Sequence, residues 1–330
     1  MDTITQITLG AAVGQAILGR QIGRRALLWG GICGLLPDLD VLIPFDDAVK
    51  AFTYHRGASH SLFVLAVLTP VMAWIAMRLH AHTHYYRRRW YALVYAAFTT
   101  HVLLDCFTVY GTQIFWPLSV PPVMWSTVFI IDPAYTIPLA IGVLTAALMK
   151  RHPLRGHHIN TICLALSTLY LVWSVGAKLY VSDVVRDNLN NQHINHRNYL
   201  TMAAPFNTLV WRVLVMDANG YYEGFYSLLD RSRHIRFTHY ASDTRLIRSL
   251  GDQWSVKRLQ WFTHGFYSVR NRDDHIVITD LRMGFEPIYV FQFKVARLGN
   301  PHPVPIRPAR IRENRSMTQL QEIWQRFLPQ

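Results

Sequence analysis

Five apolar runs, at 26–43, 61–79, 90–107, 128–149 and 159–181, crowd the first part of this 330-residue chain. Each approaches the roughly 20 residues that an α-helix needs to cross a hydrocarbon core. A further segment, 4–18, is apolar but rich in Gly, Ala and Gln, so it spans, re-enters or lies at the interface. Internal prolines at Pro70 and Pro138 are compatible with membrane helices. The runs predict an α-helical polytopic membrane bundle of five or six spans over residues 1–181.

Charge placement gives such a bundle a direction. The net charge of +13 invites a nucleic-acid reading, but its distribution does not. Ten of the thirteen Lys and Arg residues before position 182 fall in three short connections, around 20–25, 78–89 and 150–155. Basic clusters between apolar spans mark cytoplasmic loops. No nucleic-acid partner is therefore expected, and segments 44–60 and 108–127 are expected on the periplasmic side. Six crossings would leave the C-terminal part there as well. Three separated cysteines, Cys33, Cys106 and Cys163, form neither a disulfide framework nor a thiolate motif.

Beyond residue 182 no apolar run is long enough to span, and 13 of the 20 acidic residues are found there. Strand-like stretches at 207–217 and 221–229 flank Ala-Asn-Gly, others occur at 276–281 and 287–296, and short helices are expected at 242–250 and 255–262. Residues 182–298 are read as a soluble α+β domain. Residues 299–330 are read as a Pro-rich basic tail with a short helix at 317–327.

The acidic residues of the first part carry the chemistry. There are seven before position 182, all Asp, and Asp38, Asp40, Asp105 and Asp132 lie in or against apolar runs. A carboxylate there is costly unless paired or bound to a cation. His55, His60 and His101 fall near the same runs, and the charge-derived topology puts all seven groups at one membrane face. His101 and Asp105, four apart, share one face of a helix. Gly57 permits a sharp turn between His55 and His60, and Pro37 would interrupt a helix ahead of Asp38. Mixed imidazole and carboxylate ligands suit a divalent transition metal, zinc foremost, with manganese or iron as alternatives. The ligand set is Asp38, His55, His60, His101 and Asp105, holding one or two ions, with Asp40 or Asp132 as further ligand or base. Plainer readings remain open: a hydrogen-bonded His101–Asp105 pair, aspartates that merely end a helix, and Arg56 as a structural ion-pair partner.

Pro37-Asp-Leu-Asp40, His55-Arg-Gly-Ala-Ser-His-Ser61 and His101-Val-Leu-Leu-Asp105 followed by Thr108-x-x-Gly111 resemble the YdjM-like inner-membrane proteins. That family is described as membrane-bound metal-dependent hydrolases and is also labelled LexA-binding. The resemblance covers about residues 1–180. It implies distant similarity to helical zinc enzymes of the phospholipase C and P1 nuclease type, with His101 and Asp105 as the best-matching pair. Many members carry Thr-His near the N-terminus where this chain has Thr5-Gln6, which implies a metal position lost or water-filled.

Together these readings define an expectation: an inner-membrane, metal-dependent hydrolase acting on a phosphoester or lipid-linked substrate at the periplasmic face. In it the cation activates water and Arg56 receives an anionic group. The alternative is a non-enzymatic membrane scaffold or sensor whose C-terminal domain binds a partner. A transporter would spread its polar groups through the membrane depth. Membrane lipids are the other expected partners, and the sequence leaves the oligomeric state open.

Overall fold

The structure is a computed structural model that describes residues 1–149 and 151–311. The tail helix expected at 317–327 lies outside the described residues. The chain forms two compact units.

The first unit comprises 1–43, 55–175 and 205–207 and is helical. Its elements are α1 (Thr3–Ile22), α2 (Arg24–Leu35), α4 (Leu62–Leu79), α5 (Arg87–Cys106), α6 (Pro133–Leu148) and the first part of α7 (Pro153–Asn191); α3 (Ala48–Tyr54) belongs to the second unit. Capping explains several starts. The Asp2 side chain accepts from the Thr5 N–H, Ser61 from Val64, and Asp132 from Ala134 with Pro133 behind it. α5 is the central helix, with Leu93, Val94, Ala97, Phe98 and Val102 fully buried, and α1, α2 and α4 pack around it.

α1 and α2 approach backbone to backbone. A methyl group on Gly10 or Gly30 would run into the carbonyl oxygen of the other, and Gly14 and Gly34 face Ala26 and Gln6 in the same way. Only glycine permits that contact. The seam fixes the carbonyl of Gly34 and the side chain of Gln6, both of which reach the site described below.

The expectation of five or six spans is corrected. Among the described residues, only α4 and α7 are long and apolar enough to cross a membrane, and α6, at 16 residues, is a shorter apolar helix. The run at 26–43 fails because α2 ends after 12 residues and Pro37 sits in a 3-10 turn, Leu36–Leu42. At 1.5 Å per residue α2 is only about 18 Å long. The run at 90–107 does form a helix, but α5 begins with three arginines, and Trp90, Leu93, Val94, Ala97, Phe98 and Val102 are packed in the core of the unit.

Among the described residues the second unit comprises 44–54, 176–204 and 208–311. It is a β-sheet domain, which corrects the α+β expectation. β1 (Asn198–Ala203), β2 (Val210–Met216), β3 (Gly220–Ser227) and β4 (Thr238–Ala241) form one antiparallel sheet in that order. After α8 (Trp254–Phe262) come β5 (Tyr267–Arg272), β6 (His275–Asp280), β7 (Gly284–Phe285), β8 (Ile288–Tyr289), β9 (Gln292–Arg297) and β10 (Val304–Arg310). The second sheet runs β10-β9-β6-β5, and β7 pairs with β8 alone.

The β2–β3 hairpin forms where the sequence expects two strands around Ala-Asn-Gly, with the Asp217 carboxylate accepting from the N–H groups of Asn219 and Gly220. The stretch at 242–250 becomes a 3-10 turn, Thr244–Leu250. Residues 304–310, read as part of the Pro-rich tail, pair with β9 instead. α7 continues to Asn191 and lends Val181, Val184, Val185 and Leu189 to a core with Trp211, Val213 and Val215. α3 is part of this unit: Phe52 packs against Phe262, Phe291 and Phe293 with ring centroids 4.8, 4.3 and 5.3 Å away.

Candidate metal centre

Four side chains from three parts of the first unit converge. Asp38 comes from the 3-10 turn that Pro37 imposes after α2, and His60 from the turn Ala58–His60 just before α4. His101 and Asp105 project from one face near the end of α5. One ligand atom from each lies within 4.8 Å of all the others. His60 Nε2 is 3.3 Å from Asp38 Oδ1, 3.2 Å from Asp105 Oδ2 and 3.2 Å from His101 Nε2. His101 Nε2 is 3.6 Å from Asp38 Oδ1 and 3.7 Å from Asp105 Oδ2. An ion bound tetrahedrally at about 2.0–2.1 Å separates its ligands by about 3.3–3.4 Å. The observed spacings bracket that value.

Hydrogen bonds behind the imidazoles fix what faces the centre. The Gly34 carbonyl can only accept, so His101 Nδ1, 2.8 Å away, carries the proton and leaves Nε2 with its lone pair inward. His60 is set by a relay. The Ser59 hydroxyl donates to Asp40 Oδ2 at 2.6 Å, so its oxygen accepts from His60 Nδ1 at 2.9 Å. Two nitrogen lone pairs and two carboxylate oxygens therefore point at one another in a buried space. Asp105 Oδ2 has no hydrogen-bond partner there, although Asp105 is fully buried. Such an arrangement of acceptors is unfavourable without a positive charge among them. A divalent cation fits this donor set, and the cluster could hold one.

Asp40 stands outside the four and organises two of the residues read as ligands. Its Oδ1 is 2.7 Å from His55 Nδ1, and Oδ2 accepts from the Arg56 N–H at 3.0 Å besides the Ser59 hydroxyl. His55 is thus turned onto Asp40 and is not one of the four clustered residues. Burial pushes the Asp40 carboxyl up, but the His55 contact and the Ser59 bond hold it below the ordinary range. Burial likewise opposes ionisation of Asp38, yet His101 and His60 hold its carboxyl well below that range. Burial disfavours a charged His60 ring, but Asp105 and Asp38 outweigh it and raise its pKa, so a proton on Nε2 and a cation in the cup compete for the same lone pair. Carboxylates behind metal-binding histidines orient the rings and sharpen affinity. Replacing Asp40 (Asp40→Ala) is expected to weaken metal binding about 10- to 100-fold, measured by competition with a chelating dye.

Arg56 occupies the other side of Asp105. Its guanidinium lies 3.1 Å from Asp105 Oδ1 and donates to Thr108 Oγ1 at 3.1 Å, with Tyr110 beneath it. Gln6 Nε2 donates to the same Oδ1 at 2.9 Å and to the His101 carbonyl, and the Met1 amino group also meets that oxygen. Asp132 is not brought to the cluster. Its carboxylate caps α6 through Ala134 and accepts from the Tyr170 hydroxyl at 2.9 Å. The expected result for Asp132→Ala is a loss of about 1 kcal/mol in thermal unfolding with metal content unchanged.

Sequence reasoning did not single out Ser59 or the Gly34 carbonyl. Ser59 stands inside the quoted His-Arg-Gly-Ala-Ser-His motif, where a hydroxyl beside a histidine is a readable signal. A backbone carbonyl leaves none. At the other end of the helices, Arg20 meets His158 and Arg25 meets His82, so the basic loops converge as well.

The helical unit thus has a buried His/Asp cup at one end, a candidate metal centre, and basic loops at the other. The family model described as YdjM inner membrane protein matches residues 1–181, more than half of the chain, and the protein belongs to that family. An inner-membrane location follows from that membership. No curated protein and no solved structure matches the chain.

Proposed function

We propose that the protein is a membrane-bound, metal-dependent hydrolase whose centre, formed by Asp38, His60, His101 and Asp105, takes a zinc ion. The observation that carries this reading is the inward-facing set of two imidazole lone pairs and two carboxylates, with Asp105 Oδ2 unpartnered. Bound there, a divalent cation would supply Lewis acidity and lower the pKa of water toward neutrality. The chain's own residues do the rest. Gly34, Ser59 and Asp40 hold the ring tautomers, and Arg56 balances the charge of Asp105. Asp38 is the least buried of the four, at 12% side-chain exposure, so it marks the side from which a substrate reaches the cup.

A phosphoester or lipid-linked substrate at the periplasmic face is the reading most consistent with the surroundings. His60 precedes by two residues the start of α4, a candidate span. Leu39, Val41, Leu42 and Ile43, beside Asp38 and Asp40, are exposed. Trp116, whose carbonyl accepts from the Ser61 hydroxyl at 2.6 Å, is exposed too. Apolar rims with tryptophan suit the boundary between head groups and hydrocarbon. The basic loops at Arg20, Arg25 and Arg87–Arg89 support a cytoplasmic position for the opposite end.

The test is hydrolysis by zinc-loaded protein in detergent, with short-chain and long-chain phosphoesters compared. Metal-dependent release that favours the long-chain compounds is expected. A metal-loaded protein that cleaves none of them would remove the enzymatic reading.

A further inference from the structure

We propose that the centre accepts a single cation, because Arg56 and Gln6 fill the place beside Asp105 that a second one would need; this rests on the metal-site reading above. Two-ion hydrolytic centres hold their cations about 3.5–4 Å apart. A carboxylate with one oxygen on each ion is a natural way to build such a pair, and Asp105 is the residue positioned for it. Its Oδ2 faces the cup, and its Oδ1 faces away.

That second oxygen is fully used. A carboxylate oxygen offers about two lone-pair directions, and Oδ1 accepts from Gln6 Nε2 at 2.9 Å, lies 3.1 Å from Arg56 Nη2 and is met by the Met1 amino group as well. The guanidinium stays protonated at any working pH. A second divalent ion would therefore meet a fixed positive charge at hydrogen-bond distance from its own ligand. Arg56 cannot readily swing aside. Its N–H is held by Asp40, its carbonyl accepts from the Gln113 N–H at 3.0 Å, its guanidinium bonds Thr108 and covers Tyr110, and its φ of 58° is one that few non-glycine residues adopt.

The remaining donors do not supply a second cup. His55 and Asp40 are turned onto each other at 2.7 Å, and Asp132 caps α6. Gln6 Oε1 is buried without a partner, but a lone amide oxygen is a poor site for a transition metal. Among the described residues, Asp38, His60, His101 and Asp105 form the single group of three or more His, Cys, Asp or Glu able to share an ion. The second positive charge of this centre is thus an organic one, built into the fold.

X-ray absorption on the full-length zinc-loaded protein decides the matter. A shell of four nitrogen and oxygen neighbours with no metal neighbour between about 3 and 4 Å is expected. A metal–metal vector in that range would overturn the proposal while leaving the metal-site reading intact. A protein that retains no zinc after gel filtration would remove both. In the double variant Gln6→His with Arg56→Ala, folding being checked by circular dichroism, the metal–metal vector is expected to emerge. A folded double variant that still shows one isolated ion would mean that these two residues do not set the stoichiometry.

Discussion

Replacing His101 with alanine is expected to abolish stoichiometric metal binding, with a loss in affinity of at least about 100-fold, because even outer partners of metal ligands cost 10- to 100-fold. The effect should be large for a geometric reason. His101 Nε2 lies within 3.7 Å of ligand atoms on His60, Asp38 and Asp105, so its removal opens one side of a nearly closed cup. The ring is fully buried, and alanine leaves a cavity that polar neighbours cannot collapse into. A companion variant separates ligand loss from misfolding. His101→Gln keeps volume and a hydrogen-bonding end, so a folded protein that binds metal far more weakly would implicate the lost imidazole. Retention of one equivalent of metal in folded His101→Ala would count against the site.

The second large effect is structural. Gly30→Ala is expected to destabilise the helical unit by about 2–3 kcal/mol, since overpacked contacts cost about that much. Helix propensity alone gives the opposite sign, because alanine is favoured over glycine by about 1 kcal/mol in a helix interior. The added methyl meets the Gly10 carbonyl, which belongs to backbone and cannot move alone. Metal affinity should fall with stability, because the same seam places the Gly34 carbonyl on His101 and the Gln6 amide on Asp105. Gly176→Ala is the control. A side chain there meets nothing within 4 Å, so propensity should prevail and the melting temperature should rise. Two substitutions of the same kind with opposite signs would locate the cause in the seam.

These residues also show what a sequence of this kind reveals. Asp38, His60, His101 and Asp105 can be picked out because charged or imidazole groups in apolar runs need a reason to be there. The helical spacing of His101 and Asp105, and the interruption at Pro37, follow from local geometry. The partners of His55 and Arg56 do not. Both stand in the same motif as His60, and only the fold shows that His55 turns onto Asp40 while Arg56 reaches Asp105.

The membrane topology is harder to read for another physical reason. An apolar run satisfies a lipid neighbour and a protein neighbour equally well. Leu93, Phe98 and Val102 on α5 are buried by α1, α2 and α4, so their apolarity serves a protein core. By contrast, Val67 and Trp74 on α4 and Leu166 and Val172 on α7 remain exposed, as a lipid-facing surface requires. In the second unit, β1, β4 and β5 are short or mixed in polarity and give weak alternation. The Val304–Arg310 strand is disguised by its prolines, which an edge position tolerates.

An anomalous-scattering map of crystals grown with zinc would place the ion itself. A single strong peak about 2.0–2.2 Å from Asp38, His60, His101 and Asp105 is the outcome expected from their arrangement. A map with no peak there, or with zinc bound only at the surface histidines His82, His84 or His158, would show that the buried cup is not a metal site.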